Sequence, residues 1–267
     1  MTAPAAETRR ATAGGPDGSG RATGGRLVAS GLLAASALLQ LDASLQRWVT
    51  ARDALPPSRR DSIESHEHDH DAPTAGWIPL GDAAERHGAG MILLALAVVA
   101  LAVAVGARGR SSAVLVLAVA GSFAVLGLHA LLSGIAGAPS PLGGLLLPAH
   151  LVGLAGLVGI AALRAGRPRA RPLDAVALAL VAAASLPGQL LAAFVVAPML
   201  HGDTSYDTTP WTETVVAVAI GLAAVATAAG GVRAALPAAG DPVPHLPDPA
   251  RRGARGAADP LPLGDEH

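Results

Sequence analysis

There is no cysteine among the 267 residues, which excludes disulfides, thiolate metal sites, iron–sulfur clusters and a cysteine nucleophile. There is no lysine either: all 19 basic side chains are Arg, a mark of GC-rich coding rather than of nucleic-acid chemistry. Aromatic residues amount to three Trp, two Phe and one Tyr, so the apolar mass is almost wholly Ala, Leu and Val. Charged residues make up only 15%, against roughly 25% in an ordinary soluble domain. No phosphate loop, dinucleotide fingerprint, G-x-S-x-G elbow, nucleic-acid module or internal repeat is present. These absences argue against a soluble enzyme and against a nucleic-acid partner.

What is present is a set of long uncharged runs. A bilayer's hydrocarbon core takes about 20 apolar residues as helix, because backbone groups cannot stay unpaired in lipid. Six stretches are the candidates: Leu27 to Trp48, Gly88 to Ala107, Ser112 to Leu132, Leu145 to Leu163, Ala175 to Leu200 and Thr214 to Val232, the first of them uncharged only from Leu27 to Leu41, where Asp42 ends the run. Ser111 to Leu163 holds no Asp, Glu, Lys or Arg over 53 residues, too long for one helix, and the Gly and Pro of Ser133 to Gly144 divide it into a tight hairpin. The fold expected is an all-α integral membrane bundle of six helices over 27–236, with the lipid bilayer as its partner. An outer loop spans 49–82, and disordered cytoplasmic tails cover 1–26 and 237–267, where Gly, Pro, Ala and Arg mixtures cannot bury a core.

Orientation follows from the Arg residues, which cytoplasmic loops retain in excess. With both tails inside, fourteen Arg fall on the inner side and five, Arg47, Arg52, Arg59, Arg60 and Arg86, on the outer side. Twelve of the twenty acidic residues lie outside. Trp48, Trp77, Trp211 and Tyr206 also fall outside, where amphipathic rings suit the headgroup layer. The expected location is the inner membrane of a bacterial cell, crossed several times.

Local signals add detail. Asp82 and Glu85 match a capping box that starts the second helix near Ala83, and Thr209 before Pro210 matches an N-cap and first-turn pair for the sixth. Pro187 and Pro198 each remove a helical hydrogen bond from the fifth span and predict a kink. Gly153, Gly156 and Gly159 permit close helix approach in the fourth. The first span, with basic residues ahead of it and Ala35-Ser36-Ala37 inside it, also has the layout of a cleavable signal; apolar character resuming at Leu45 to Val49 favours a retained helix.

The nine His are the most informative residues, because seven share the outer side. His66, His68, His70 and His87 lie in or beside the outer loop, His129 and His150 near the outer ends of the third and fourth spans, and His201 just beyond the fifth. Imidazole is the commonest ligand for Zn and Cu. Glu67, Asp69 and Asp71 interleave with the loop imidazoles, which in extended form would share one side. Such a tract is often only a solvated loop. His66-Glu67 and His70 also fit H-E-x-x-H literally, but Pro73 and polar flanks oppose the helix that a zinc protease needs. His129 and His150 stand about ten residues either side of a turn near Pro139 or Ser140, hence at similar depth, and ionisable groups in a span point to function.

The leading reading is a non-enzymatic membrane protein for metal handling or sensing. His129, His150 and His201 form its Cu or Zn site, and His66, His68 and His70 the collector. The alternatives are a structural or assembly protein without ligand, a bis-His haem protein with Arg86 or Arg47 on the propionates, and a small-solute transporter with a polar notch at Pro187-Gly188-Gln189. Haem is disfavoured by having only two Phe to line its slot.

Overall fold

A computed structural model describes residues 17–106, 109–165, 172–202 and 209–236. The remaining residues, among them Tyr206, His245 and His267, lie outside the described set. Every regular element among the described residues is helical: α1 (Asp17–Leu45), α2 (Ala83–Ala104), α3 (Arg110–Ala136), α4 (Leu146–Ala165), α5 (Pro172–Val181), α6 (Leu186–Leu191), α7 (Ala197–His201) and α8 (Thr212–Ala235), with shorter 3-10 and π turns between them. Five helices are long and apolar enough to cross a membrane. A sixth span arises if the bent pair Pro172–Ala184 and Leu186–Leu200 is counted as one. The chain is thus an all-α bundle of the multi-pass membrane type.

The helices neighbour one another in the order α4, α3, α2, α1, α8, α5, so α1 and α8 lie side by side. Leu33, Met91, Leu94, Val119, Phe123 and Ile220 fill the core between them, while Leu117, Val158 and Leu222 point outward, as lipid-facing side chains do. Close approach depends on glycine. A Cβ on Gly88 would stand 2.5 Å from the Gly127 carbonyl oxygen, and one on Gly127 2.7 Å from that of Gly88, so α2 and α3 meet backbone to backbone. Gly156 and Gly159 give the same freedom against Val119 and Leu115, as their spacing in α4 predicts.

Polar contacts gather at the two ends of the bundle. At one end Arg26 of α1 grips Asp174 of α5 through Nη1–Oδ1 at 2.5 Å and Nη2–Oδ2 at 3.0 Å. Gly25 packs on Ala104 at this end too. Helix α1 begins at Asp17, well ahead of Leu27, where the apolar run begins. At the other end lie the loop, the start of α2, the α3–α4 turn and the start of α8. Finding the loop and that turn together is what an even number of crossings between them requires. The turn begins where α3 stops on left-handed Gly137, whose φ is 63°, and the Ala138 amide closes back on the Ser133 carbonyl.

Three local expectations are corrected. Helix α2 does begin at Ala83, but Asp82 makes no side-chain cap bond; its carboxylate instead accepts from Gln46 Nε2 and Arg86 Nε. Helix α8 begins at Thr212 rather than at Pro210, because Trp211 takes a left-handed φ of 71° with its ring 6.5 Å from that of Trp48. The fifth span is broken rather than kinked: Ser185 is extended at ψ 161°, and the arms on either side of it diverge by 80°. Pro187 sits in the first turn of the second arm, where its missing N–H does no harm.

The α2–α3 contact yields a direct test. Gly88→Ala and Gly127→Ala are each expected to lower stability by about 1–3 kcal/mol through overpacking. Gly121→Ala, whose Cβ would meet nothing within 4 Å, should leave it equal or raise it by about 0.5–1 kcal/mol. Thermal unfolding of the three variants in one detergent checks the contrast.

Candidate functional site

Arg47 organises the loop end. It stands in the π turn Gln46–Ala51 that prolongs α1, the kind of local widening that re-aims side chains, and its side chain is 0% exposed. Its Nε donates to the Ile63 carbonyl at 3.1 Å and its Nη2 to that of Ser65 at 3.1 Å. Its Nη1 donates to Asp69 Oδ1 at 2.6 Å and to Glu213 Oε1 at 2.8 Å. Glu213 also accepts from Trp48 Nε1 at 2.7 Å, and the guanidinium carbon lies 4.6 Å from the Trp48 ring centroid. One cation thereby ties α1, the loop and α8 together.

The loop is consequently a folded cap. Two 3-10 segments, Pro57–Glu64 and His66–His68, shape it, and Ile63 and Trp77 are buried beneath it. The Ile78 amide donates to the Glu67 carbonyl at 2.6 Å. Burial, together with the neighbouring Asp71 charge, raises the Asp69 carboxyl to about 6 despite Arg47. Burial and Glu213 raise Asp71 likewise, to about 6.

Within the cap lies a pair of imidazoles. His70 is 0% exposed and His87, in the first turns of α2, is 6% exposed. Their rings stand edge to face with centroids 5.5 Å apart and planes at 69°. Neither ring nitrogen of His70 has a hydrogen-bond partner, nor has Nδ1 of His87. Buried polar atoms are normally satisfied, and such orphans call for an explanation. Burial above all, then the neighbouring His87 and Arg47, pushes His70 well below the ordinary imidazole range. His70 is therefore neutral at pH 7, the form in which imidazole donates a lone pair to a metal.

The other expected ligands are dispersed. His66 is exposed, His68 half-buried with Nδ1 3.4 Å from the Ile78 carbonyl, and His70 enclosed, so the three rings do not share one side as an extended tract would have them. The H-E-x-x-H pattern likewise finds no helix to carry both of its His, since the 3-10 turn stops at His68. His129, 0% exposed, has both nitrogens engaged: Nε2 donates to the Pro73 carbonyl at 2.9 Å, and Nδ1 lies 2.8 Å from Ser140 Oγ. It clasps the cap to the α3–α4 turn. No hydrogen bond or ring contact joins it to His150, whose Nδ1 is buried without a partner. His201 ends α7, and its side chain lies outside the described set. Among the described residues no group of three or more His, Asp or Glu is arranged to hold one ion.

The partner that sequence reasoning left out of the site is His87. It stands on a separate element, seventeen positions from His70, and no local spacing announces the meeting. Comparison with known proteins is silent: no family model, no curated protein and no solved structure matches the chain.

Removing the clasps separates their roles. Arg47→Ala leaves Asp69 and Glu213 buried without their cation, an expected loss of about 3–5 kcal/mol. His129→Ala strands the Pro73 carbonyl and Ser140 hydroxyl, an expected loss of about 1–3 kcal/mol. Both variants should expose 57–80 to limited proteolysis while the helical circular dichroism of the bundle is retained.

Proposed function

We propose that this chain is a non-enzymatic membrane protein that holds a transition-metal ion, Cu or Zn, at its outer face, as a handling or sensing accessory of the bacterial inner membrane. The observation that carries this reading is the buried His70 ring, with both nitrogens unsatisfied, set against His87. In this reading His70 and His87 are the holding pair, and His66 and His68, nearer to water, are the collector. His129 leaves the ligand set because its ring nitrogens already bind the cap to the turn. The membrane-bundle architecture and the folded cap supply the setting: a dry, preorganised place for a ligand on an otherwise apolar scaffold.

The test is elemental analysis of full-length protein purified without a His tag after exposure to Cu or Zn. About one equivalent per chain is expected, falling at least tenfold in His70→Ala/His87→Ala and persisting in His129→Ala/His150→Ala. Wild-type protein that retains neither metal would overturn the reading in favour of a structural or assembly role, and a Soret band would replace it with haem.

A further inference from the structure

The pair of imidazoles also bears on which ion is held, an inference that rests on the metal-holding reading above. We propose that His70 and His87 form a two-coordinate site for a soft monovalent cation, Cu(I), and not a site for Zn(II).

Ligand number is the first argument. Zn(II) takes four ligands, at least three of them protein side chains in the usual sites, and no third His, Asp or Glu is arranged with this pair among the described residues. Two of the nearby carboxylates have other commitments: Asp69 and Glu213 accept from Arg47. Cu(I), with a filled d shell and no ligand-field preference, is stable with two nitrogen donors in line.

Spacing agrees. Two metal–nitrogen bonds of about 2 Å end to end would set the ring centroids within about an ångström of the 5.5 Å observed. The rings stand edge to face, with planes at 69°, so one of them must turn about its own side-chain axis to aim a lone pair at the ion, and no hydrogen bond holds the His70 ring back.

Charge is the third argument. The penalty for taking an ion out of water grows with the square of its charge, so a fully enclosed pair of neutral donors favours a single positive charge over a double one.

The same tract supplies a route. Exposure falls in step from His66 through His68 to His70, a gradient of imidazoles leading from water to the enclosed pair. The ion is bound in the oxidation state in which it arrives, and no electron is transferred.

The experiment uses full-length, untagged protein in detergent under anaerobic conditions. Cu(I) is presented with a chromophoric chelator as competitor, Ag(I) serves as a redox-inert probe, and Zn(II) is titrated separately. The expected result is one Cu(I) per chain, displaced by Ag(I), undisturbed by a tenfold excess of Zn(II), and showing two nitrogen neighbours by X-ray absorption. His70→Ala and His87→Ala should each weaken Cu(I) binding at least a hundredfold. His87→Met, which restores a soft donor, should recover Cu(I) but not Zn(II); it keeps the proposal exposed to failure even where an alanine variant does not fold. His66→Ala/His68→Ala should preserve the stoichiometry while slowing uptake. One Zn(II) held by the wild type and lost in His70→Ala or His87→Ala would overturn the monovalent assignment while leaving the metal-holding reading intact. Cu(I) binding unaffected by His87→Ala, or four neighbours in the absorption spectrum, would overturn it too. A wild type that binds neither ion would remove both.

Discussion

A positive charge sealed from water at the end of a membrane helix is the constraint around which this protein is arranged. Arg47 is fully enclosed, and an isolated cation there would be prohibitively expensive. Its cost is offset because each part of the guanidinium meets an acceptor: two loop carbonyls, Asp69 and Glu213. Those partners come from the loop and from α8, while Arg47 itself prolongs α1. Satisfying one residue therefore specifies how the loop sits on the bundle, and a polar segment that would otherwise be solvated becomes a cap with an interior. The imidazole pair exists only because that interior exists.

The two ends of the bundle are built on the same physics with different outcomes. At the far end Arg26 and Asp174 form a close, two-pronged pair that joins α1 to α5, a structural link. At the cap end the acidic groups outnumber the guanidinium, and burial raises Asp69 and Asp71 to about 6. His129 adds a second fastening, from Pro73 to Ser140, so the cap is pinned both to α1 and α8 and to the α3–α4 turn.

The spans were legible because membrane crossing is a length threshold on apolar runs, which composition satisfies or does not. The hairpin, the glycine contacts of α4 and the disruption at Pro187 were legible for similarly local reasons. What depended on a distant partner was not. Asp82 looked like a cap until Gln46 and Arg86 competed for its carboxylate. His129 and His150 were placed at similar depth, but depth says nothing of rotation about the helix axis, and His129 turns to the loop. The His-rich tract announced itself by composition, whereas the ring that meets His70 sits on α2 with nothing nearby to mark it. Arg47 read as an outer-side charge with at most a place on haem propionates, since neither the carbonyls of Ile63 and Ser65 nor the carboxylate of Glu213 is near it in sequence.

The adjacency of α1 and α8 has a consequence for biogenesis. A ribosome delivers α1 and the loop early, but Glu213, which completes the shell around Arg47, belongs to α8 and emerges only after α2 to α7 have been made. Until that helix enters the bilayer beside α1, the early part of the protein carries an incompletely compensated cation and an unlatched loop. Maturation of the cap therefore reports on insertion of α8, and a product stalled before that crossing would present an open, protease-sensitive loop to the cell's quality control.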